Sequence, residues 1–387
     1  MRARIRDAKD SPKKTVSVFI PVFRESILLK PLLENLIKDP YPHKEIICII
    51  DEPTQKSLET VEKFKSKVRF IVNGHRKGKV NALNEAYTFS TGEILLFLDG
   101  DCKLPDSPQS FLEKVVDEIR DVEILDIRKK TLRNSLIAKL TYYDYFCHSI
   151  GNHIFSKTIG RCLAFNGAAF AIKRYAFDML GGFRRVLSED SDLAIRSFLK
   201  GFKFKLSENV EVYTQVPPSL KEWYVQRRRW GIGAALWIRE YYKTLAKIVV
   251  EHPKTLFSSM FAVAPSLTFL LLTTLMPTFS YENLIVLLLT IVAAKLSFLI
   301  PSVYVALITL LLLRNVLLLA MSFAIVIPLY WWASKKLNYT FNPIEFALYY
   351  FLLSPLWVLI IIISLIRIFL VKGTILKINL ENLNWKI

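Results

Sequence analysis

Two aspartates one residue apart close a short apolar run, where Leu95-Leu96-Phe97-Leu98 leads into Asp99-Gly100-Asp101. The run reads as a buried strand, and aspartates are poor strand formers, so the pair belongs at the strand's carboxyl end. Open α/β sheets place their ligands at that end. Two hard oxygen ligands there suit Mg²⁺ or Mn²⁺ carrying substrate phosphates. An Asp-Gly-Asp triplet alone is also a common turn sequence, so its weight comes from its surroundings.

The elements that must position the pair can be traced along the chain. Val16–Pro21, Glu45–Ile50, Val68–Val72 and Ile94–Leu98 read as strands. Helical patterns over about Ser26–Ile37, Lys56–Ser66 and Val80–Phe89 separate them. Strands alternating with helices predict a largely parallel sheet with helices on both faces. The polar residues after three strands then share one edge: Arg24 and Glu25, Asp51 and Glu52, Asp99 and Asp101. Such an edge favours a nucleotide-type cleft. The loop His75-Arg76-Lys77-Gly78-Lys79 adds basic side chains beside it, to contact a phosphate or base or simply to cap the next helix.

Further along, Phe165-Asn166-Gly167-Ala168-Ala169 combines a small-residue turn with a strand start, which permits close ligand approach or a tight bend. Ser188-Glu189-Asp190 opens a helix that Gly201 closes. Its acids either complement the helix dipole or supply a general base. After Pro217-Pro218, Ser219-Leu220-Lys221-Glu222 is a capping-box signature for a helix carrying Gln226-Arg227-Arg228-Arg229-Trp230. At about 100° per residue, Gln226, Arg229 and Trp230 share a face and Arg228 points away from it. Membrane anchoring explains Arg and Trp near apolar spans in general, but it does not require that shared face.

Composition divides the 387 residues. Residues 1–254 mix charged and apolar side chains, whereas residues 255–333 hold three charged ones, Glu282, Lys295 and Arg314. Ile344–Val371 is again apolar apart from Glu345 and Arg367. A span needs roughly 20 apolar residues, so the expected spans are 256–278, 284–302, 304–331 and 345–370. Four spans return the C-terminus to the catalytic side and leave Lys335 and Lys336 on the far side, against the positive-inside rule. Lys295 and Arg314 within the spans line an aqueous path for a polymer, or else snorkel or pack within the bundle. No apolar run follows Met1 to mark a cleaved signal peptide. The net charge of +18 clusters beside the spans and points to a lipid bilayer as partner. No nucleic-acid-binding motif is evident, and no nucleic acid is expected. Cys48, Cys102, Cys147 and Cys162 are widely spaced and read as free thiols in a reducing compartment.

Val18-Phe19-Ile20-Pro21 with Glu25, Asp51, Gly78-Lys79, Asp99-Gly100-Asp101, Ser188-Glu189-Asp190 and Gln226 through Trp230 together resemble the family-2 inverting glycosyltransferases of GT-A fold. The likeness is to their membrane-embedded branch: cellulose, chitin, hyaluronan and poly-N-acetylglucosamine synthases. It covers about residues 16–230. The resemblance implies a hexosyltransferase acting on a nucleotide-sugar donor, with uridine the expected base. Pro21, Glu25, Asp51, Lys79, Asp99 and Asp101 would hold the donor, with Asp101 and Asp99 on the metal. Asp190, with Glu189 beside it, would be the base, and Arg229 would meet the diphosphate. Asn166, Gly167, Gln226 and Trp230 would face the acceptor. Ser188 replaces the family's usual threonine. No span precedes the catalytic domain, unlike many polymerising members.

The expected organisation is a basic tail at 1–15, a GT-A catalytic domain at 16–217 and interfacial helices at 218–254. A transmembrane helical domain at 255–371 and a cytoplasmic tail at 372–387 follow. The expected location is the cell membrane, multi-pass, with the catalytic domain cytoplasmic. The expected reaction extends a polysaccharide. Transfer of one sugar to a membrane lipid and a non-catalytic nucleotide-sugar receptor are the alternatives. The sequence leaves the oligomeric state open.

Overall fold

The computed structural model describes residues 14–107, 109–255 and 326–370, together with residues 259, 309, 313, 316, 320, 323 and 324. The expected spans at 256–278, 284–302 and most of 304–331, including Lys295 and Arg314, lie outside the described residues. So do 1–13 and the expected tail 372–387.

Eight strands form one sheet: β1 (Val16–Phe23), β2 (Lys44–Asp51), β3 (Arg69–Asn73), β4 (Ile94–Leu98), β5 (Cys102–Lys103), β6 (Ile124–Thr131), β7 (Ala169–Lys173) and β8 (Phe204–Thr214). Their order is β3-β2-β1-β4-β7-β6-β8-β5. The first four are parallel, as expected. Beyond β4 the sheet is mixed, since β7 runs antiparallel to both β4 and β6 and β5 runs antiparallel to β8. β6 and β8 are parallel to each other. The sheet is therefore less parallel than its first hundred residues suggest.

β1 extends two residues past Pro21. Proline gives no ladder N–H and is poorly tolerated between two neighbours. Here β4 pairs with β1 only as far as Phe19↔Phe97, so Pro21 meets β2 alone, opposite Ile49.

Helices cover both faces. Val16, Val18, Ile20 and Val22 alternate toward α1 (Leu29–Lys38), α2 (Gln55–Phe64) and α4 (Phe111–Glu118). Phe19, Ile47 and Ile49 point the other way, toward α3 (Lys79–Thr88), α6 (Arg174–Leu180) and α7 (Glu189–Lys200). The period-2 pleat makes this division. All four cysteines are buried free thiols.

Residues 104–164 gave no prediction, yet they contain α4, β6 and the 23-residue α5 (Leu136–Thr158). α5 is buried around most of its circumference, so it shows no amphipathic stripe. It packs against the helical segment 326–336 (α9) and against α10 (Pro343–Leu370). α10 has a π turn at Tyr349–Leu353, just ahead of Pro355, whose ring would otherwise meet the carbonyl four residues back. In place of several interfacial helices, residues 218–254 form one continuous helix, α8 (Leu220–Glu251), capped by Ser219.

Among the described residues, α10 is long and apolar enough to cross a membrane, with mean hydropathy 2.5. The turn before it sits on the catalytic side. Arg128 donates to the Leu337 carbonyl, the Tyr339 hydroxyl donates to the Lys129 carbonyl at 2.9 Å, and the Tyr143 hydroxyl donates to the Asn342 carbonyl at 3.0 Å. Lys335 and Lys336 therefore adjoin a segment seated on the domain that carries the sheet.

Candidate active site

The parallel registers bring the ends of β1, β2 and β3 level, with Phe23 opposite Asp51 and Asp51 opposite Asn73. Asp51 is buried and faces back into the protein. Its Oδ1 accepts from Asn73 Nδ2 at 2.8 Å, and its Oδ2 accepts from the Lys77 and Gly78 N–H groups at 3.1 and 2.8 Å. It thereby pins the basic loop that leads into α3, where Gly78 has φ 84, a conformation that favours glycine. Glu25 is exposed and accepts from Thr54 Oγ1 at 2.7 Å.

Lys79 begins α3. Its Nζ lies 2.8 Å from Asp99 Oδ1 and 3.4 Å from Glu189 Oε1, so it joins the end of β4 to the start of α7. Burial alone would depress the ammonium's pKa, but Asp99 and Glu189 more than offset this and hold it well above the usual value. Burial raises the pKa of Glu189, with Asp190 adding to the shift and Lys79 opposing it.

The turn at Asn166–Ala168 forms a second link. The Ala168 carbonyl accepts from Asp99 N–H at 2.8 Å, and Asn166 Oδ1 accepts from Ala168 N–H at 2.9 Å. Gly167 N–H donates to Asp190 Oδ2 at 2.8 Å, and Ser191 N–H donates to Oδ1 at 2.7 Å. A Cβ at Gly167 would lie 3.0 Å from the Asp190 carboxylate, so the small residue allows this approach. Pro21, Lys79, Asp99, Gly167, Glu189 and Asp190 line one cavity, floored by Leu83, Phe97, Phe170 and Phe183.

Gly100 lets the β4 turn approach β1, since a Cβ there would lie 2.7 Å from Val22 Cγ2. Asp101 follows, with its side chain open to solvent. Among the described residues no group of three or more His, Cys, Asp or Glu side chains could hold a metal by itself. Asp99 and Asp101 are separated only by Gly100, and their carboxylate oxygens are of the kind a hard divalent cation takes.

α8 carries the remaining expected residues. Gly233 packs against Ser188, Trp237 Nε1 donates to the Ser191 carbonyl at 3.1 Å, and the Tyr241 hydroxyl donates to Asp192 at 2.7 Å. Burial lowers the pKa of Arg229, which Glu189, Asp99 and Asp190 partly restore. Its charge therefore reaches the acid cluster. Arg228 is exposed, as the helical wheel requires. Gln226 and Trp230 are half-buried, and Gln226 Oε1 has no hydrogen-bond partner among the described residues.

Sequence reasoning missed Arg227. It is 2% exposed and lies 2.5 Å from Asp144 Oδ2. Its guanidinium stands 4.4 Å from the Trp230 ring centroid, 5.1 Å from Trp357 and 5.4 Å from Trp223. Part of the signal was present, because Trp223, Arg227 and Trp230 follow i, i+4, i+7 spacing. Asp144 and Trp357 lie far away in sequence and gave none.

A family model for glycosyl transferase family 2 matches residues 17–176. The match runs from β1 to the start of α6, the part of the GT-A-like α/β fold whose strand ends border the cleft. A probable glycosyltransferase of Bacillus subtilis (strain 168), YdaM, is 27% identical over 242 residues, covering 58% of this chain and 56% of that protein. The poly-beta-1,6-N-acetyl-D-glucosamine synthase of Staphylococcus aureus (strain COL) is 23% identical over 236 residues, covering 59% and 57%. The chain spans about half the length of the curated relatives it matches. Among solved structures, the mannosyltransferase PcManGT from Pyrobaculum calidifontis, in complex with GDP-Man and Mn²⁺, aligns at 21% identity. That match covers 62% of this chain and 70% of that one, with a TM-score of 0.49.

Proposed function

We propose that this protein is an inverting glycosyltransferase that moves a sugar from a UDP-linked donor to a hydroxyl of a growing polysaccharide at a membrane. The observation that carries this reading is the shared cavity. Asp190, held by two backbone N–H groups, opens onto the same space as the Lys79–Asp99 pair. A base set close to a phosphate-side charge cluster suits displacement at a sugar carbon presented to both.

In this reading Asp190 accepts the proton of the acceptor hydroxyl. Arg229 stabilises charge developing on the leaving diphosphate. Lys79 bridges Asp99 and Glu189. Asp99 and Asp101 would hold Mg²⁺ or Mn²⁺, which supplies further neutralisation of the leaving group. Pro21, Glu25 and Asp51 border or brace the donor side. Asn166, Gly167, Gln226 and Trp230 serve the acceptor side. A polymeric acceptor draws support from the poly-N-acetylglucosamine synthase among the relatives. Membrane attachment draws support from α10, whose Leu359, Ile363, Ile366 and Leu370 are exposed.

The test is to incubate the purified full chain with radiolabelled nucleotide sugars, with divalent metal or excess chelator. Metal-dependent incorporation into a large product that organic solvent does not extract is expected. A small, solvent-extractable product would move the acceptor to lipid. Nucleotide binding without turnover would make the protein a receptor.

A further inference from the structure

The donor side of the cleft contains an arginine with no acceptor. Arg76 lies in the loop that Asp51 pins through the Lys77 and Gly78 N–H groups. Its guanidinium rests 4.1 Å from the centroid of the Phe23 ring, at the end of β1. Nε and Nη2 are shut off from solvent and have no hydrogen-bond partner among the described residues. A guanidinium presents five donors in a fixed fork, and buried donors left unsatisfied are costly.

The neighbouring acids are committed elsewhere. Asp51 already accepts three N–H groups. Glu52 pairs with Arg24 at 3.2 Å. Arg24 and Glu52 both adopt left-handed backbone, φ 61 and φ 50, which is strained for non-glycine residues and recurs at ligand-binding ends. The Lys79 charge is spent on Asp99 and Glu189. The charge of Arg76 also reaches Arg229, which it disfavours in the charged form. The Arg76 fork therefore keeps two unmatched donors among the described residues. Its complement is an anion with several acceptor oxygens.

We propose that Arg76 binds a phosphate of the nucleotide donor, with its guanidinium held in place by Phe23 and by the Asp51-pinned loop. This rests on the nucleotide-sugar reading above. Lysine at this position would keep the charge but lose the flat stack and the fork.

The test is calorimetric titration of the purified full chain, wild type, Arg76→Met and Arg76→Lys, with uridine and UDP, and with guanosine and GDP in parallel. Arg76→Met should weaken diphosphate binding by about 10- to 100-fold, the worth of a charge-assisted hydrogen bond. Nucleoside binding should stay within about twofold, and Arg76→Lys should fall between wild type and Arg76→Met. The loop is held through backbone groups, so both variants should keep the wild-type melting temperature. An equal loss for nucleoside and diphosphate would put Arg76 on the nucleoside and overturn the proposal, as would unchanged diphosphate affinity. If the wild type binds no nucleotide, the function proposed above fails instead.

Discussion

The two ends of the sheet carry their charges differently. In β1 to β4 the strands are apolar and the charges wait at their carboxyl ends, at Asp51, Asp99 and Asp101. In β6 the charges lie inside the strand, where Asp126, Arg128, Lys129 and Lys130 are all buried. Each finds a partner there. Lys129 pairs with Asp126, Lys130 Nζ lies 2.8 Å from Glu211, and Arg128 donates to the Glu208 carbonyl at 2.7 Å. Arg128 also binds the Leu337 carbonyl, and Arg133, just beyond the strand, pairs with Glu345. At the strand ends only Asp101 is exposed, while Asp51 braces the basic loop and Asp99 holds Lys79 at the mouth of the cleft. Charges within β6 are used to seat the segment that enters α10. The first region is the one proposed to bind the donor, and the second joins the sheet to the apolar helix α10.

Breaking the base separates the two regions most sharply. Asp190→Asn should lower sugar transfer by about 10²–10⁴-fold, the usual range for lost general-base help. Donor affinity should remain close to wild type, because Asp190 lies on α7 whereas the groups proposed for the donor lie on β1 to β4, α3 and α8. Turnover kinetics beside nucleotide titration check this. Near-normal turnover would remove Asp190 from the chemistry, and a matching loss of donor binding would merge the two regions.

How far the chain could be read follows the same division. The strand ends were legible because the signal is local: an apolar run, then acids, within seven residues at Leu95–Asp101. The general face of α8 was legible from helical spacing, as Arg228 shows. The other region was not legible. α5 has no polar face to mark it, and β6 breaks the alternation expected of a strand. One partner of Arg128, the Leu337 carbonyl, is 209 positions away. Asp51 was legible as a cleft residue, but its hydrogen bonds point into the loop it braces, and no spacing rule encodes that direction. The switch to a mixed sheet after β4 depends on how β7 returns, which only the packed core determines.

A smaller effect should come from the buried pair that ties α5 to α8. Arg227→Met leaves the Asp144 carboxylate largely buried without its cation, and breaking such a pair typically costs about 3–5 kcal/mol. Replacing both partners, with Arg227→Met and Asp144→Leu, should recover much of that loss, because no buried charge is then left unpaired. Denaturant unfolding of the purified single and double variants measures both quantities. A single-variant cost below about 1 kcal/mol would show that the tryptophan rings, not the ion pair, hold this joint.

The smallest effect should come from Arg228, and it tests whether the face of α8 or merely its basic character matters. Arg228 is exposed between a buried Arg227 and a half-buried Arg229. Exposed substitutions away from special features usually change stability by less than about 0.5 kcal/mol. Arg228→Ala should therefore leave melting, nucleotide affinity and turnover within about twofold of wild type. Arg229→Ala removes a charge that reaches Glu189, Asp99 and Asp190. It should weaken diphosphate binding by about 10-fold or more, as loss of a charge-assisted contact does. If α8 acted only as a basic membrane anchor, the exposed Arg228 would matter more for membrane extraction and neither residue would alter nucleotide binding. Measuring extraction, UDP affinity and turnover for both variants in the same detergent decides between these outcomes. Equal effects on UDP affinity would mean that the helix contributes charge without direction, and the contrast between a binding region and a joining region would then not extend to α8.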